Sequence, residues 1–94
     1  MALRFVRDRE TGLPHIYEHG VTEEEVRQVL ADPGDDFPGR GDSRIALGQS
    51  QAGRYLQVVY VPKEDLDDVL VITAYDLTRK AKKAYRHRRR RKRK

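Results

Sequence analysis

His19 is the side chain in this sequence that is best suited to moving a proton. An imidazole ordinarily has a pKa of about 6.5, so it can accept or release a proton near neutral pH. A glycine follows at once and typically ends a helix, so a second interpretation is that His19 closes a short lead-in helix and only hydrogen-bonds a carbonyl there. Both interpretations remain open. His87 is a weaker candidate, because the cations around it oppose its protonation.

Lys80 and Lys83 are further candidates for acid–base chemistry. Three residues apart on a helix, they share one face, and crowding among cations can bring an amine into a catalytic range. The plainer interpretation is a solvated, charged helix face. Tyr75 and Tyr85 add phenolic hydroxyls that can transfer a proton, and their rings can either stack on a base or fill the core.

Three arginines are candidates for holding a phosphate, because a guanidinium can bind two phosphate oxygens at once. Arg44 and Arg54 begin predicted strands, and Arg79 begins the last predicted helix. The alternative is that all three form ordinary surface salt bridges with acids of the domain.

The strongest charge signal lies at the C-terminal end. Residues 79–94 contain twelve of the 20 Lys and Arg residues and none of the 15 acids, so residues 1–78 carry eight bases against 15 acids, a formal charge of −7. A basic segment on an acidic body predicts contact with a polyanion, and RNA is the first candidate. Such a segment binds phosphates without reading sequence, and its expected contacts are Arg86, Arg88, Arg89 and Arg90. The alternative is a segment that aids solubility or docks an acidic protein partner.

Composition excludes several other classes of function. The chain has 94 residues and no cysteine, so it provides one small core and neither a disulfide nor a thiolate metal site. No apolar run approaches the roughly 20 residues that span a bilayer. The first ten residues are charged from Arg4 onward, so we expect no secretory signal. We therefore expect a cytoplasmic protein with no membrane contact, no metal and no cofactor.

The sequence also predicts the elements that position these side chains. Thr22 and Glu25 form a capping box, and residues 32–34 (Asp-Pro-Gly) end the helix that it begins, which we expect over 23–31. Three runs rich in β-branched and aromatic residues predict strands over 44–48, 55–61 and 69–75. Short connections favour an antiparallel meander. The apolar period then returns to that of a helix, expected over about 79–87.

These elements predict an α+β fold with an N-terminal helix, a three- to four-stranded antiparallel sheet and a C-terminal basic helix. Residues 1–85 would form a single domain. Residues 86–94 would be a basic arm that is frayed or disordered when free, because the arm has nothing apolar to bury and its like charges repel.

An ordered set of short motifs resembles the BrnT-type toxins of bacterial type II toxin–antitoxin pairs. It is also similar to a related uncharacterised domain family whose last strand ends in Val-Ile-Thr-Ala-Tyr. The matching positions run from residue 19 to residue 85: His19-Gly20-Val21, Glu24-Glu25, Val29-Leu30, Asp32-Pro33, Arg44, Ala46-Leu47-Gly48, Ser50, Gly53-Arg54, Val58-Val59, Val71-Ile72-Thr73-Ala74, Thr78-Arg79 and Tyr85. The resemblance implies a RelE/ParE-like fold, a metal-independent endoribonuclease activity and a cognate antitoxin that covers the active face.

The chain departs from the toxin pattern at two positions that bear on cleavage. Tyr75 stands where the toxins have an arginine, and Ala81 stands where an acid is usual. Cutting RNA without a metal requires a base, an acid and cations that stabilise the charged phosphorane. The candidate catalytic residues are His19, Lys80, Lys83 and Tyr85, with Tyr75 among the RNA contacts. The competing hypotheses are a non-catalytic nucleic-acid-binding module and a structural protein whose basic arm docks an acidic partner.

Overall fold

The computed structural model describes residues 2–63 and 67–92, which form one five-stranded sheet, a 3-10 helix and two α-helices. In chain order the elements are β1 (Ala2–Phe5), the 3-10 helix (His15–His19), α1 (Glu23–Ala31), β2 (Asp35–Pro38), β3 (Arg44–Gln49), β4 (Tyr55–Lys63), β5 (Asp68–Asp76) and α2 (Arg79–Lys92). Residues 93–94 of the predicted basic arm and residues 64–66 of the turn before β5 lie outside the described residues.

The predicted arrangement of the fold is wrong, although the structure is α+β. The first element is a strand and not a helix, and the described sheet is mixed, in the order β1-β5-β4-β3-β2. β1 runs parallel to β5, while the other three pairs are antiparallel. The N-terminal helix and three- to four-stranded antiparallel sheet expected for a RelE/ParE-like layout are therefore not the arrangement of this chain.

Two short edge strands account for the error. β1 places only Leu3 and Phe5 toward the core, opposite Val69 and Val71. A parallel pair over so long a sequence separation leaves no local signature. β2 has the sequence Asp-Asp-Phe-Pro, which predicts a loop. As an edge strand it needs backbone partners on one side alone, so proline is tolerated there.

The core lies between one face of the sheet and the elements 15–31. Alternation along the strands directs Leu56 and Val58 of β4 toward α1, along with Ala74 of β5. The fully buried side chains that meet there are Ile16, Val21, Val26, Val29, Leu56, Val58 and Val71. We call this side the helix-covered face.

α1 begins as its capping box predicts. Thr22 Oγ1 accepts a hydrogen bond from the Glu25 N–H at 3.1 Å, and Glu25 Oε1 accepts one from the Thr22 N–H at 3.1 Å. The helix packs close to β3, because a Cβ added to Gly48 would lie 3.0 Å from Val29 Cγ1. Glycine at this position allows the helix to approach the strand.

The opposite side of the sheet, which we call the open face, carries Tyr55, Gln57 and Val59 of β4 and Thr73 and Tyr75 of β5. All five side chains are partly exposed. Neither α-helix in the described part of the chain combines the length and apolar character needed to cross a membrane.

α2 runs past one end of the open face. Thr78 caps it, since Thr78 Oγ1 accepts from the Ala81 N–H at 3.1 Å. The helix continues beyond the predicted end at His87 to Lys92. Among the described side chains of α2, Tyr85 is the buried one, at 5% exposure, and anchors the helix to the rest of the domain.

Candidate nucleic-acid interface

α2, the α1–β2 loop and the β3–β4 hairpin enclose a cleft of about 490 Å³. Its walls combine three cationic, two aromatic and three other side chains or backbone segments: Arg86, Arg89, Arg90, Tyr55, Tyr85, Asp32, Gly34 and Gln49. We call it the arginine cleft. The volume is within the range of about 300–1,000 Å³ that is usual for small-ligand sites.

Tyr85 forms the inner wall of the arginine cleft. Its ring meets the Tyr55 ring edge to face, with 6.0 Å between centroids, and it packs against the backbone of Gly34. Burial is the main cause that raises the pKa of the Tyr85 phenol above its ordinary value, and the negative charges of Asp35 and Asp32 add to the effect. The hydroxyl therefore holds its proton more firmly than an ordinary phenol; it can donate a hydrogen bond, or give its proton to a strongly basic oxygen.

Lys82 covers the second ring of the cleft. Its Nζ lies 4.8 Å from the centre of the Tyr55 ring, within the distance of a cation–π interaction. Lys82 precedes Tyr85 by three residues, so both side chains extend from one face of α2. Lys80 and Lys83, the lysines predicted to act in catalysis, are exposed and do not line the cleft.

Most of the α2 cations whose side chains the structure describes form no ion pair with a carboxylate of the described residues. Arg88 is the α2 residue with an ion pair to a carboxylate among the described residues, donating from Nη2 and Nε to Asp35 Oδ2 at 2.8 and 3.0 Å. Arg89 donates instead to the Gly34 carbonyl at 3.3 Å. The other described bases of the helix are exposed and project from it: Arg79, Lys80, Lys82, Lys83, Arg86 and Arg90.

Arg54 is occupied in holding the fold together. Its Nε and Nη2 donate to the two carboxylate oxygens of Asp76 at 2.8 and 3.0 Å. Its Nη1 donates to Glu25 Oε1 at 3.0 Å and to the Gly20 carbonyl at 2.7 Å, and Nη2 reaches the His19 carbonyl at 3.1 Å. The hydrogen bond from Arg54 is the main cause that lowers the pKa of Asp76. This guanidinium joins β5, α1 and the 3-10 helix.

Arg44 is likewise engaged, at the other end of the sheet. Its Nε donates to Asp36 Oδ1 at 2.8 Å, and the Tyr60 hydroxyl donates to Asp36 Oδ2. Burial, followed by this hydrogen bond, raises the pKa of Tyr60 to about 12. Arg44 pairs with the end of β4 and Arg54 precedes its start, so these two arginines and Arg79 do not converge on one phosphate.

His19 lies outside the arginine cleft. It ends the 3-10 helix, and Gly20 follows in the left-handed conformation with φ of 67°. The exposed His19 ring meets the Tyr75 ring at 5.6 Å and the His15 ring at 5.7 Å, both edge to face. Tyr75 Oη accepts a hydrogen bond from Gln57 Nε2 at 2.8 Å. His19 and Tyr75 are thus adjacent, while Tyr85 is in the cleft.

The predicted site residues did not include four that line the cleft, Asp32, Gly34, Gln49 and Tyr55, nor Lys82, which lies over the Tyr55 ring. Asp32 and Gly34 belong to the Asp-Pro-Gly motif, whose role in ending α1 already accounts for it. Tyr55 is likewise accounted for as the first residue of a strand. Lys82 carried the one usable signal, its position three residues before Tyr85. Within the described residues, no group of three or more His, Asp or Glu side chains is arranged to hold a metal ion.

Comparisons with protein-family models, with curated proteins and with solved structures found no match to this chain.

Proposed function

We propose that this chain binds RNA through the arginine cleft and the exposed cations of α2. The observation that carries the proposal is the meeting of Arg86, Arg89 and Arg90 with Tyr55 and Tyr85 on one cleft, while most of the helix charge has no carboxylate partner among the described residues. Arginine binds phosphate with two parallel hydrogen bonds, so three arginines that line one cleft can hold the phosphates of a nucleic acid, with the two tyrosine rings as its inner wall.

The expected binding is electrostatic and strongly salt-dependent. Each phosphate that a cation neutralises releases counterions, so log affinity falls with log salt at a slope of about −0.7 per phosphate on a single strand. The acidic remainder of the protein repels phosphate, so we expect the phosphate contacts to lie on α2 and in its cleft. No base-edge reader is needed for such binding, so we expect little sequence preference.

Fluorescence anisotropy with a labelled, unstructured RNA tests the proposal between about 50 and 200 mM salt. The variant Arg86→Ala/Arg89→Ala removes two cations inside the cleft, and Arg79→Ala/Lys80→Ala is its control, with the same loss of charge outside it. We expect about tenfold weaker binding for the first pair and less than about threefold for the second. Equal losses would mean that net charge acts without a site, and absence of binding by the unmodified chain would refute the proposal.

A second candidate function is metal-independent RNA cleavage, in line with the resemblance to BrnT-type toxins. Asp32 and Tyr85 line the same cleft as the arginines. The Asp32 carboxylate would take the proton of a ribose 2′-hydroxyl, whose oxygen attacks the adjacent phosphorus. Tyr85 would give its proton to the departing 5′-oxygen, leaving a 2′,3′-cyclic phosphate and a 5′-hydroxyl. Arg86 and Arg89 would stabilise the charge on the phosphorane.

Incubation of total RNA with the purified chain in EDTA tests this second candidate. Cleavage should disappear in Asp32→Asn and Tyr85→Phe and persist in Arg79→Ala. The variant His19→Gln separates this assignment from one in which His19 is the base, because it should cut RNA normally if Asp32 is the base. RNA that stays intact while it binds would leave the non-catalytic module as the function.

The resemblance also supports an antitoxin as protein partner. If the chain is a toxin, its expression should slow growth, and a small protein encoded next to it should restore growth by covering the cleft. The remaining alternative, a structural protein whose basic helix docks an acidic partner, predicts association that salt abolishes and no affinity for RNA.

A further inference from the structure

A series of aromatic rings leads away from the arginine cleft across the open face. Tyr85 meets Tyr55 at 6.0 Å inside the cleft, and farther on Tyr75 meets His19 at 5.6 Å. His15 follows, 5.7 Å from His19. Ring contacts of this kind in a core need no further explanation, but the core of this protein lies on the other face of the sheet.

Strand register joins the two ring pairs. Gln57 lies opposite Tyr75, and the Leu77 N–H donates to the Tyr55 carbonyl at 3.1 Å. Tyr55 and Tyr75 are therefore diagonal neighbours on adjacent strands and on the same face, a relationship that separates residues by about 7–8 Å. No element lies between them in the strand order, so the open face is continuous from cleft to Tyr75.

The free edge of β5 brings His19 into this series. β1 pairs with Asp68 to Val71. Among the described strands, none pairs with that edge of β5 from Ile72 onward. The 3-10 helix contacts β5, and His19 reaches the Tyr75 ring from that side. Tyr75 is partly exposed and His19 is exposed, so both can be reached by a ligand.

The chemistry at the far end of the series differs from that of the cleft. Glu18 Oε2 lies 3.4 Å from His15 Nδ1, so an acid accompanies these rings where arginines accompany Tyr85. An acid repels phosphate but leaves stacking unaffected. We therefore expect bases to bind at the rings of Tyr75 and His19, with their phosphates turned to solvent, and phosphates to bind in the arginine cleft.

We propose that the open face binds a single-stranded nucleic acid whose backbone enters the arginine cleft and whose following bases stack on Tyr75 and His19. The inference rests on the proposed RNA-binding function and names its substrate class. Stacking on exposed rings requires unpaired bases, and each stacked base contributes about 1–3 kcal/mol. A duplex keeps its bases paired and stacked inside, so it can use the cations of α2 but not these rings.

Anisotropy with labelled RNA of about four and about eight nucleotides, and with a duplex of matched sequence, tests the inference. Tyr75→Leu should weaken binding of the longer single strand by about fivefold or more and leave duplex binding unchanged. Tyr75→Phe keeps the ring but loses the hydrogen bond from Gln57, and should bind like the unmodified chain. Tyr17→Leu is the control, an exposed tyrosine on the 3-10 helix that hydrogen-bonds Glu23 and lies outside the series.

The outcomes separate this inference from the function on which it rests. If Tyr75→Leu binds normally while Arg86→Ala/Arg89→Ala binds weakly, the stacking path is refuted and the RNA-binding cleft stands. If Tyr75→Phe weakens binding as much as Tyr75→Leu, the hydroxyl matters and the ring does not, which also overturns the inference. If binding is unchanged both in Tyr75→Leu and in Arg86→Ala/Arg89→Ala, the stacking proposal and the RNA-binding cleft both fail. Thermal melting of each variant identifies losses caused by unfolding.

Discussion

The hydroxyl of Tyr85 occupies the space in which a side chain on Gly34 would begin. A Cβ built on Gly34 would overlap Tyr85 Oη and lie 2.7 Å from Cζ. The backbone of Gly34 is not in the left-handed region, so the absence of a side chain matters here for space and not for conformation. This contact fixes both the depth of Tyr85 and the position of α2 beside the α1–β2 loop.

Gly34→Ala should therefore displace Tyr85 and loosen α2. Forcing an extra methyl group into a filled space costs about 1–3 kcal/mol. We expect a free energy of unfolding lower by this amount in urea denaturation, together with weaker RNA binding, because Tyr85 lines the cleft.

The double variant Gly34→Ala/Tyr85→Ala is the control for that prediction. With the tyrosine ring removed, the added methyl group meets open space, so Gly34→Ala should have little further effect in the Tyr85→Ala background. A full and additive cost in both backgrounds would show that Gly34 is required for another reason.

Arg54→Ala should be the most destabilising of the arginine substitutions. Hydrogen bonds to charged groups contribute about 1.5–3 kcal/mol, and this variant leaves Asp76, Glu25 and two carbonyls without their donor. We expect a loss of about 2–4 kcal/mol, with Arg54→Lys recovering only part because an ammonium cannot form the paired contact with Asp76. Arg79→Ala, at an exposed position, is the control and should change stability by less than about 0.5 kcal/mol.

The same contact has a pH signature. Arg54 lowers the pKa of Asp76, so the folded state favours the ionised carboxylate. The resulting contribution to stability is fully present above the unfolded pKa of about 4, and it is lost as the pH falls through the lower pKa of the folded state. The stability difference between the unmodified chain and Arg54→Ala should therefore shrink below about pH 4. A difference that stays constant down to low pH would mean that Asp76 does not carry it.

The sequence predicted elements whose signals are local, and those predictions hold. The capping box of Thr22 and Glu25 begins α1 as expected, and the three runs of β-branched and aromatic residues became β3, β4 and β5. The pairing of β1 and the existence of β2 could not be predicted, because each strand has four residues and is defined by its partner strand. The parallel pairing of β1 with β5 depends on residues more than sixty positions apart, which no local pattern records.

The composition of the site could be predicted in part. The basic character of α2 and the presence of Tyr85 follow from residue types and helical spacing. The sequence could not decide between the two roles of Arg44 and Arg54, because an arginine serves equally well in a phosphate clamp or in an ion pair. Only the tertiary structure places Asp36 beside Arg44 and Asp76 beside Arg54. Asp32 and Gly34 reach the cleft through the path of a loop, which the sequence does not specify.

Tyr60 should limit stability at alkaline pH. Its pKa of about 12 in the folded state lies above the ordinary value of 10, so the unfolded chain releases this proton first and stability falls as pH rises from 10 toward 12. Tyr60→Phe removes that dependence. Urea denaturation across this pH range should show the difference in stability between the two proteins narrowing steadily. The other tyrosines titrate in both proteins, so their effect cancels in this difference. A difference in stability that does not change with pH would contradict the assignment to Tyr60.

Asp35→Asn should strengthen RNA binding. Asp35 competes with phosphate for Arg88, whose side chain is 46% exposed and can reach a ligand. Releasing Arg88 adds one cation to the surface of α2, so affinity should rise about twofold or more and the salt slope should steepen by about 0.7. Arg88→Ala in the same assay is the counterpart, and should bind no more tightly than the unmodified chain. If Asp35→Asn instead weakens binding, the ion pair serves to hold α2 in place beside the cleft, and its contribution to position outweighs the charge that it neutralises.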